Sequence, residues 1–334
     1  MDRREIGWRV SCGWDHYTGV HSNQMITLDV VVPTYNRCQQ LRQTIGSLLQ
    51  AEIPAGLAVT IIIVDNNCTD DTASLIEQFK TASPVRLRSV KETKQGLSHS
   101  RNAGIAAGTG ELVGFIDDDE RIDATWYKVI EREFRDSSIE FIGGPCQPLW
   151  GARAPDWLPP RHPSVIGVVP PQAYRDYDEN FPGILMGGNA VIRRSVFQRV
   201  RGYSPQLGRT NKGLLSVEDA EFYRRLLRNG IRGRHVPDLI IHHYVPPERL
   251  TRKYHRRWCF WHGVSMGILD KTEPRSVVYF AGIPRYLIGD VIRSLYSVPR
   301  NLLAGKAGEA FEHELAFWDL TGFFYGKHWF TTGA

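Results

Sequence analysis

Val59 to Val64, VTIIIV, form a β-branched run with no polar alternation. A strand with one wet face alternates apolar and polar positions, so an unbroken run means that both faces are covered, as in a parallel sheet flanked by helices. The neighbouring sequence has the matching rhythm. Leu28 to Val32, Val59 to Val64, Val85 to Val90 and Leu112 to Ile116 read as strands, and helix-like segments follow the first three at Arg37 to Gln50, Asp70 to Ala82 and Gly96 to Ala107. Such alternation predicts an α/β fold with a mostly parallel sheet and flanking helices. Open sheets of this kind bind ligands beyond the carboxyl ends of their strands, so Pro33 to Asn36, Asp65 to Asn67 and Asp117 to Asp119 are expected to converge on one crevice.

The later chain is less regular. Pro145 to Pro171 reads as an extended loop, because Pro159, Pro160 and Pro163 forbid a regular helix there. Gly187, Gly188 and Asn189 precede a short strand, Ala190 to Arg193. Ser216 to Asn229 reads as a helix with Ser216 as its N-cap and Gly230 at its stop, and His235 to Tyr244 reads as one strand. From Pro247 onward the pattern is helical and basic: residues 241–300 carry a net charge of +6, against +5 for the whole chain. Val277 to Leu303 mixes apolar and aromatic side chains with Arg275, Arg285, Arg293 and Arg300, which suits either a packed helix or one lying at an anionic membrane surface.

Several classes are excluded. With 334 residues, 42% of them hydrophobic and 23% charged, the chain is neither disordered nor a polytopic membrane protein. The longest apolar stretch, Val277 to Ser297, is broken by Arg285, Asp290 and Arg293, too soon to span a bilayer. Five scattered cysteines without a CxxC pair argue against a disulfide framework or a zinc ribbon, and point to a reducing compartment. Residues 1–24 hold no apolar run and are read as a disordered extension ahead of a domain that starts at Met25. No nucleic-acid module is present. Neither GxGxxG nor GxxxxGK[ST] occurs, so phosphates must be neutralised by other means.

The chemistry-bearing residues sit at strand and helix ends. Asp117, Asp118 and Asp119 follow the fourth strand, and strand alternation would put Asp117 and Asp119 on one side and Asp118 on the other. Clustered carboxylates suit a hard divalent cation, although a solvated acidic turn explains the triplet equally well. Asp65 could accept hydrogen bonds from a base or ribose, or simply cap a turn. Asp219 stands in a first helical turn, where it could serve as a general base or only stabilise the helix dipole. His242 and His243 are strand neighbours facing opposite ways, so only one can point into a site.

VVPTYNR (31–37), VDNNCTDDT (64–72), GLSHSRNAG (96–104), FIDDDE (115–120), GGN (187–189) and ED (218–219) occur together in the order of the family 2 glycosyltransferases, which the chain resembles over about residues 27–245. The resemblance implies a GT-A fold: a Rossmann-like, mostly parallel sheet with flanking helices over residues 25–245, here with a helical C-terminal region over 246–334. Its nucleotide-binding half would be 25–120 and its acceptor half 121–245. It implies that Pro33, Thr34, Tyr35 and Asn36 border the nucleotide, that Asp65 contacts the base, and that Arg101 holds the nucleotide or its diphosphate. Asp117, Asp118 and Asp119 resemble a DxD motif that contacts the nucleotide-sugar. Asp119, Asp117 and His243 would bind Mn2+ or Mg2+, Gly188 and Asn189 would line the sugar and acceptor pocket, and Asp219 would be the catalytic base. Arg256, Arg257 and Trp258 resemble only part of the QxxRW of chain-extending members, since Tyr254 stands where Gln is required.

The expected function is therefore a metal-dependent, inverting transfer of a sugar from a nucleotide-sugar, UDP-linked by preference, to a hydroxyl of a glycan or lipid-linked acceptor. Its setting would be cytoplasmic, with peripheral contact to the anionic inner face of the membrane. The competing expectations are a sugar-nucleotidyltransferase and a non-catalytic carbohydrate- or membrane-binding protein.

Overall fold

The computed structural model describes residues 25–159, 163–209, 213–274 and 276–330. The expected disordered extension, residues 1–24, lies outside the described residues. Four parallel strands open the fold: β1 (Ile26–Thr34), β2 (Leu57–Asp65), β3 (Arg86–Lys91) and β4 (Leu112–Phe115). Between them run α1 (Cys38–Gln50), α2 (Thr72–Ala82) and α3 (Leu97–Ala107). The unbroken apolar runs do what their pattern requires. Val30, Val32, Ile61 and Ile63 pack with Leu41, Ile45 and Leu48 of α1 on one face, while Val31, Ile62 and Val64 pack with Phe115 on the other. Each such buried side chain contributes roughly 1.5–3 kcal/mol.

Next come β5 (Glu120–Ile122), α4 (Trp126–Phe134), β6 (Phe141–Gly143), β7 (Cys146–Trp150), β8 (Arg175–Asp176), β9 (Ala190–Arg193), α5 (Arg194–Val200), α6 (Glu218–Arg228), β10 (Gly233–His235) and β11 (Ile241–Val245). The main sheet has the order β3-β2-β1-β4-β9-β6-β10-β8, with β9 antiparallel to both neighbours. A second sheet, β5-β11-β7, puts His243 in register with Glu120. The fold is thus α/β with a mostly parallel sheet, as expected.

Two local expectations are corrected. His235 to Tyr244 is not one strand: Pro237 lacks the amide that a ladder needs, the chain turns with Leu239 N donating to Val236 O at 3.0 Å, and β10 and β11 join different sheets. Pro145 to Pro171 is not wholly loop, since it contains β7 and a bridge from Cys146 to Val169.

The C-terminal region is helical: α7 (Arg252–Thr272), α8 (Arg285–Leu303) and α9 (Ala307–His328). Glycines let α7 and α9 touch through their backbones. A Cβ on Gly322 would lie 1.9 Å from Phe260 O, and one on Gly263 would lie 2.0 Å from Asp319 O. Among the described residues no helix is long and apolar enough to cross a membrane.

Candidate active site

A cavity of about 860 Å³ opens beyond the carboxyl ends of β1, β2 and β4, and its far wall comes from α6, α7 and the loops between β7 and β9. Pro33, Thr34, Tyr35, Arg101, Asp117, Asp118, Asp119, Asp219 and His243 all line it. Five separate segments of chain therefore meet at one place.

The aspartate triplet does not alternate as a strand would. β4 ends at Phe115, and Glu120 N donates to Asp117 O at 3.0 Å, so the chain turns and sends Asp118 and Asp119 toward Arg37 and Asp117 toward Arg101. Asp118 accepts from Thr34 Oγ1 at 2.8 Å and from Arg37 Nη1 at 3.0 Å. Asp119 Oδ2 accepts from Arg37 Nη1 at 2.8 Å and from Arg249 Nη2 at 3.2 Å, with His243 Nε2 3.6 Å away. Asp117 turns instead to Arg101 Nη2, at 3.1 Å. Burial pushes Asp118 up to about 6, whereas for Asp119 the effect of burial is outweighed by His243, Arg37 and Arg249, which hold it well below the ordinary carboxylate range.

Arg101 is buried and tied to acids. Its Nη1 donates to Asp219 Oδ1 at 2.8 Å, Glu218 stands 3.8 Å from the same nitrogen, and the guanidinium lies 5.0 Å over the Tyr203 ring. The resemblance implies that Arg101 holds the nucleotide or its diphosphate; it does line the cavity, where its terminal nitrogens donate to Asp117 and Asp219. Asp219 Oδ2 accepts from Gly187 N at 2.9 Å, so both oxygens of this carboxylate are fixed. Gly187 must be glycine, because a Cβ there would lie 2.2 Å from Asp219 Oδ1.

Other expected contacts do not reach the cavity wall. Asn36, in the left-handed region at φ 51, accepts from Thr69 N at 2.7 Å. Asp65 accepts from Cys68 N at 2.8 Å, a turn-capping role, and its neighbour Asn66 lines the cavity in its place. Asn189 is wholly buried and spends its side chain on Trp126 Nε1 at 3.0 Å and Leu239 O at 2.7 Å. Gly188 makes room for Glu120, whose carboxylate would lie 2.4 Å from a Cβ. Sequence reasoning passed over Arg37 and Arg249 as site residues, although Arg37 ends VVPTYNR and Arg249 follows His243 by six residues. A lone cation after a strand is too common to single out before its acidic partner is placed.

Among the described residues no group of three or more His, Cys, Asp or Glu side chains is arranged to hold a metal ion. Asp117 is turned away, so the expected trio of Asp117, Asp119 and His243 is not assembled. The pair that remains does suit a divalent cation. A guanidinium only donates, and Arg249 Nη1 lies 2.8 Å from His243 Nε2, so that nitrogen is an unprotonated acceptor beside the Asp119 carboxylate, and its lone pair would pass to a cation only as Arg249 gave way. Two protein donors require the rest of a coordination shell from a ligand.

Burial and the neighbouring Asp219 push Glu218 up from 4.5 to about 7. The folded protein then keeps this proton while the unfolded chain loses it, so stability falls as pH rises between about 4.5 and about 7 and is level above that window. Glu218→Gln should flatten this slope and be more stable than wild type at pH 8 by on the order of 1–3 kcal/mol. Denaturant unfolding at pH 4.5, 6 and 8 measures it; equal slopes for the two proteins would refute it.

The family model described as Glycosyl transferase family 2 matches residues 29–201. The chain is 24% identical over 248 residues to the succinoglycan biosynthesis protein ExoM of Rhizobium meliloti, covering 74% of this chain and 76% of that one. It is 26% identical over 256 residues to the glucosyl-dolichyl phosphate glucuronosyltransferase of Haloferax volcanii, covering 75% and 79%. Among solved structures, the mannosyltransferase PcManGT from Pyrobaculum calidifontis in complex with GDP-Man and Mn2+ matches with a TM-score of 0.56 at 17% identity, over 90% of this chain and 86% of that one. S. aureus TarS 1-349 in complex with UDP matches with a TM-score of 0.52 at 16% identity, over 88% and 90%. At these identities the structural likeness speaks for the fold, which is GT-A.

Proposed function

Given that this chain belongs to glycosyl transferase family 2 and is a glycosyltransferase, we propose that it moves a sugar from a nucleotide-sugar, UDP-linked by preference, to a hydroxyl of a glycan or lipid-linked acceptor, with inversion. The observation that carries this reading is the joint placement of Asp119 with His243 and of Asp219 with Arg101 on one cavity. Complexes of fold neighbours with UDP and with GDP-Man and Mn2+ support a nucleotide-sugar donor and a divalent ion.

Pro33, Thr34, Tyr35 and Asn66 border the nucleotide end of the cavity. Asp119 and His243 would hold the cation, which supplies neutralisation of the departing diphosphate. Arg37, Arg209 and Arg249, all on the cavity wall, face the same negative charge. Asp219 takes the proton from the acceptor hydroxyl as its oxygen bonds to the anomeric carbon and the carbon–diphosphate bond breaks. Arg101 and Gly187 N fix the carboxylate for that single displacement.

Contact with an anionic membrane at its cytoplasmic face belongs to the same reading. Ile292, Leu295, Tyr296 and Leu303 are exposed on α8 beside Arg293 and Arg300. An apolar stripe with cations at its flank suits a lipid headgroup region.

The test is a panel of UDP-, GDP- and dTDP-sugars with Mn2+ or Mg2+, scored by nucleotide release. At least one donor should turn over, cease to do so with EDTA, and recover with the cation. No binding or turnover of any donor with either ion would overturn the reading.

A further inference from the structure

α7 turns one face to the cavity. Trp258, His262 and Met266, spaced four residues apart, line it together. This face stands beside the start of α6: Ser216 N donates to Ser265 Oγ at 3.0 Å, and Ser216 and Val217 line the cavity directly ahead of Asp219. It therefore belongs to the end of the cavity where the hydroxyl is deprotonated.

His262 is fixed more firmly than a partly exposed histidine needs to be. Its Nδ1 lies 2.7 Å from Asp319 Oδ1, and its ring stacks on Trp258 with centroids 5.2 Å apart and planes 9° apart. Asp319 reaches it because the glycine contacts bring α9 against α7. An ionised carboxylate only accepts, so Nδ1 carries the proton. Nε2 has no partner among the described residues, and 35% of the side chain is exposed. Leu214, Val217, Trp258 and Met266 make the surrounding wall apolar, which the phosphates and ribose of a donor do not require.

We propose that His262, positioned by Asp319 and braced on Trp258, accepts a hydrogen bond from a hydroxyl of the acceptor, and that this acceptor is an amphiphile, a sugar carrying an apolar aglycone. Of the two histidines on the described cavity wall, His243 has its Nε2 beside Arg249 and Asp119, whereas His262 stands among Leu214, Val217 and Met266. The proposal rests on the reading of Asp219 as the base, which identifies this end of the cavity as the acceptor side.

Calorimetric titration with octyl β-glycosides of glucose, galactose, mannose and N-acetylglucosamine, with and without UDP and Mn2+, tests it. Wild type should bind at least one glycoside. His262→Ala should weaken that binding tenfold or more, His262→Gln should restore it to within threefold, and Asp319→Asn should weaken it three- to tenfold. UDP affinity should stay within twofold of wild type in all three variants. The proposal is overturned if no octyl glycoside binds wild type, if His262→Ala binds as wild type does, or if UDP affinity falls in parallel, which would mark a structural role. Loss of UDP binding by wild type itself would sink the nucleotide-sugar reading instead.

Discussion

Asp219→Asn should lower kcat for sugar transfer by about 10³-fold, within the range that a positioned general base contributes. The amide has nearly the shape of the carboxylate but cannot take the acceptor's proton. It also fits its surroundings less well: Asp219 accepts from Arg101 on one oxygen and from Gly187 N on the other, so the amide must turn its NH2 toward one donor. UDP affinity should change little, because Asp219 is held by Arg101 and Gly187 N and by none of Pro33, Thr34 and Tyr35. Steady-state kinetics with calorimetric nucleotide binding separate the two effects. A variant that keeps more than about a tenth of wild-type kcat would sink the assignment. Glu218 is the sharpest control. It shares the cavity and the helix start, but its Oε2 accepts from the backbone at Val217 N, at 3.1 Å, and its altered proton affinity reflects burial. Glu218→Gln should therefore change stability with pH while transfer survives.

What could be read from the sequence was whatever local pattern decides. The first four strands and three helices follow the expected segments to within two residues, because burial on both faces leaves an apolar run that nothing else explains. Cap chemistry was harder. Ser216 fits an N-cap by sequence, yet its amide is claimed by Ser265, some fifty residues later, and α6 starts at Glu218 after Val217. Side-chain direction in the triplet was not legible, since it depends on a turn that begins where β4 stops. Asp65 and Asn66 show the same limit: adjacent polar residues at a strand end are equivalent on paper, yet Asp65 caps the turn at Cys68 N while Asn66, on the cavity wall, spends its amide on the backbone at Glu92, Lys94 and Gly96. The ordered motifs identified the family and so the glycosyltransferase activity, which sets aside the nucleotidyltransferase alternative. They could not report that Arg101 serves acids, because its partners are 16 and 118 residues away.

That arrangement makes Arg101→Met the variant with the largest expected structural effect. The guanidinium is 1% exposed and faces Asp117 at 3.1 Å, Asp219 at 2.8 Å and Glu218 at 3.8 Å. Taking it away leaves three acids in or near a buried site with no compensating charge, a change that costs about 3–5 kcal/mol in comparable ion pairs. A drop in Tm of roughly 6–20 °C at neutral pH should follow. The pH dependence gives the sign. Arg101 lowers the proton affinity of Glu218, so without it the folded protein holds that proton to higher pH, and the deficit should be larger at pH 8 than at pH 5. Arg101→Lys should recover only part of the stability, since an ammonium lacks the planar fork that reaches Asp117 and Asp219 together. It should recover less of the activity, because the Asp219 carboxylate is then no longer held from both sides. Thermal unfolding of the three proteins at pH 5 and pH 8 decides the matter. A loss under about 1 kcal/mol for Arg101→Met at pH 8 would mean that Asp117, Glu218 and Asp219 do not depend on this guanidinium, and that the pairing of base and bridge is wrong.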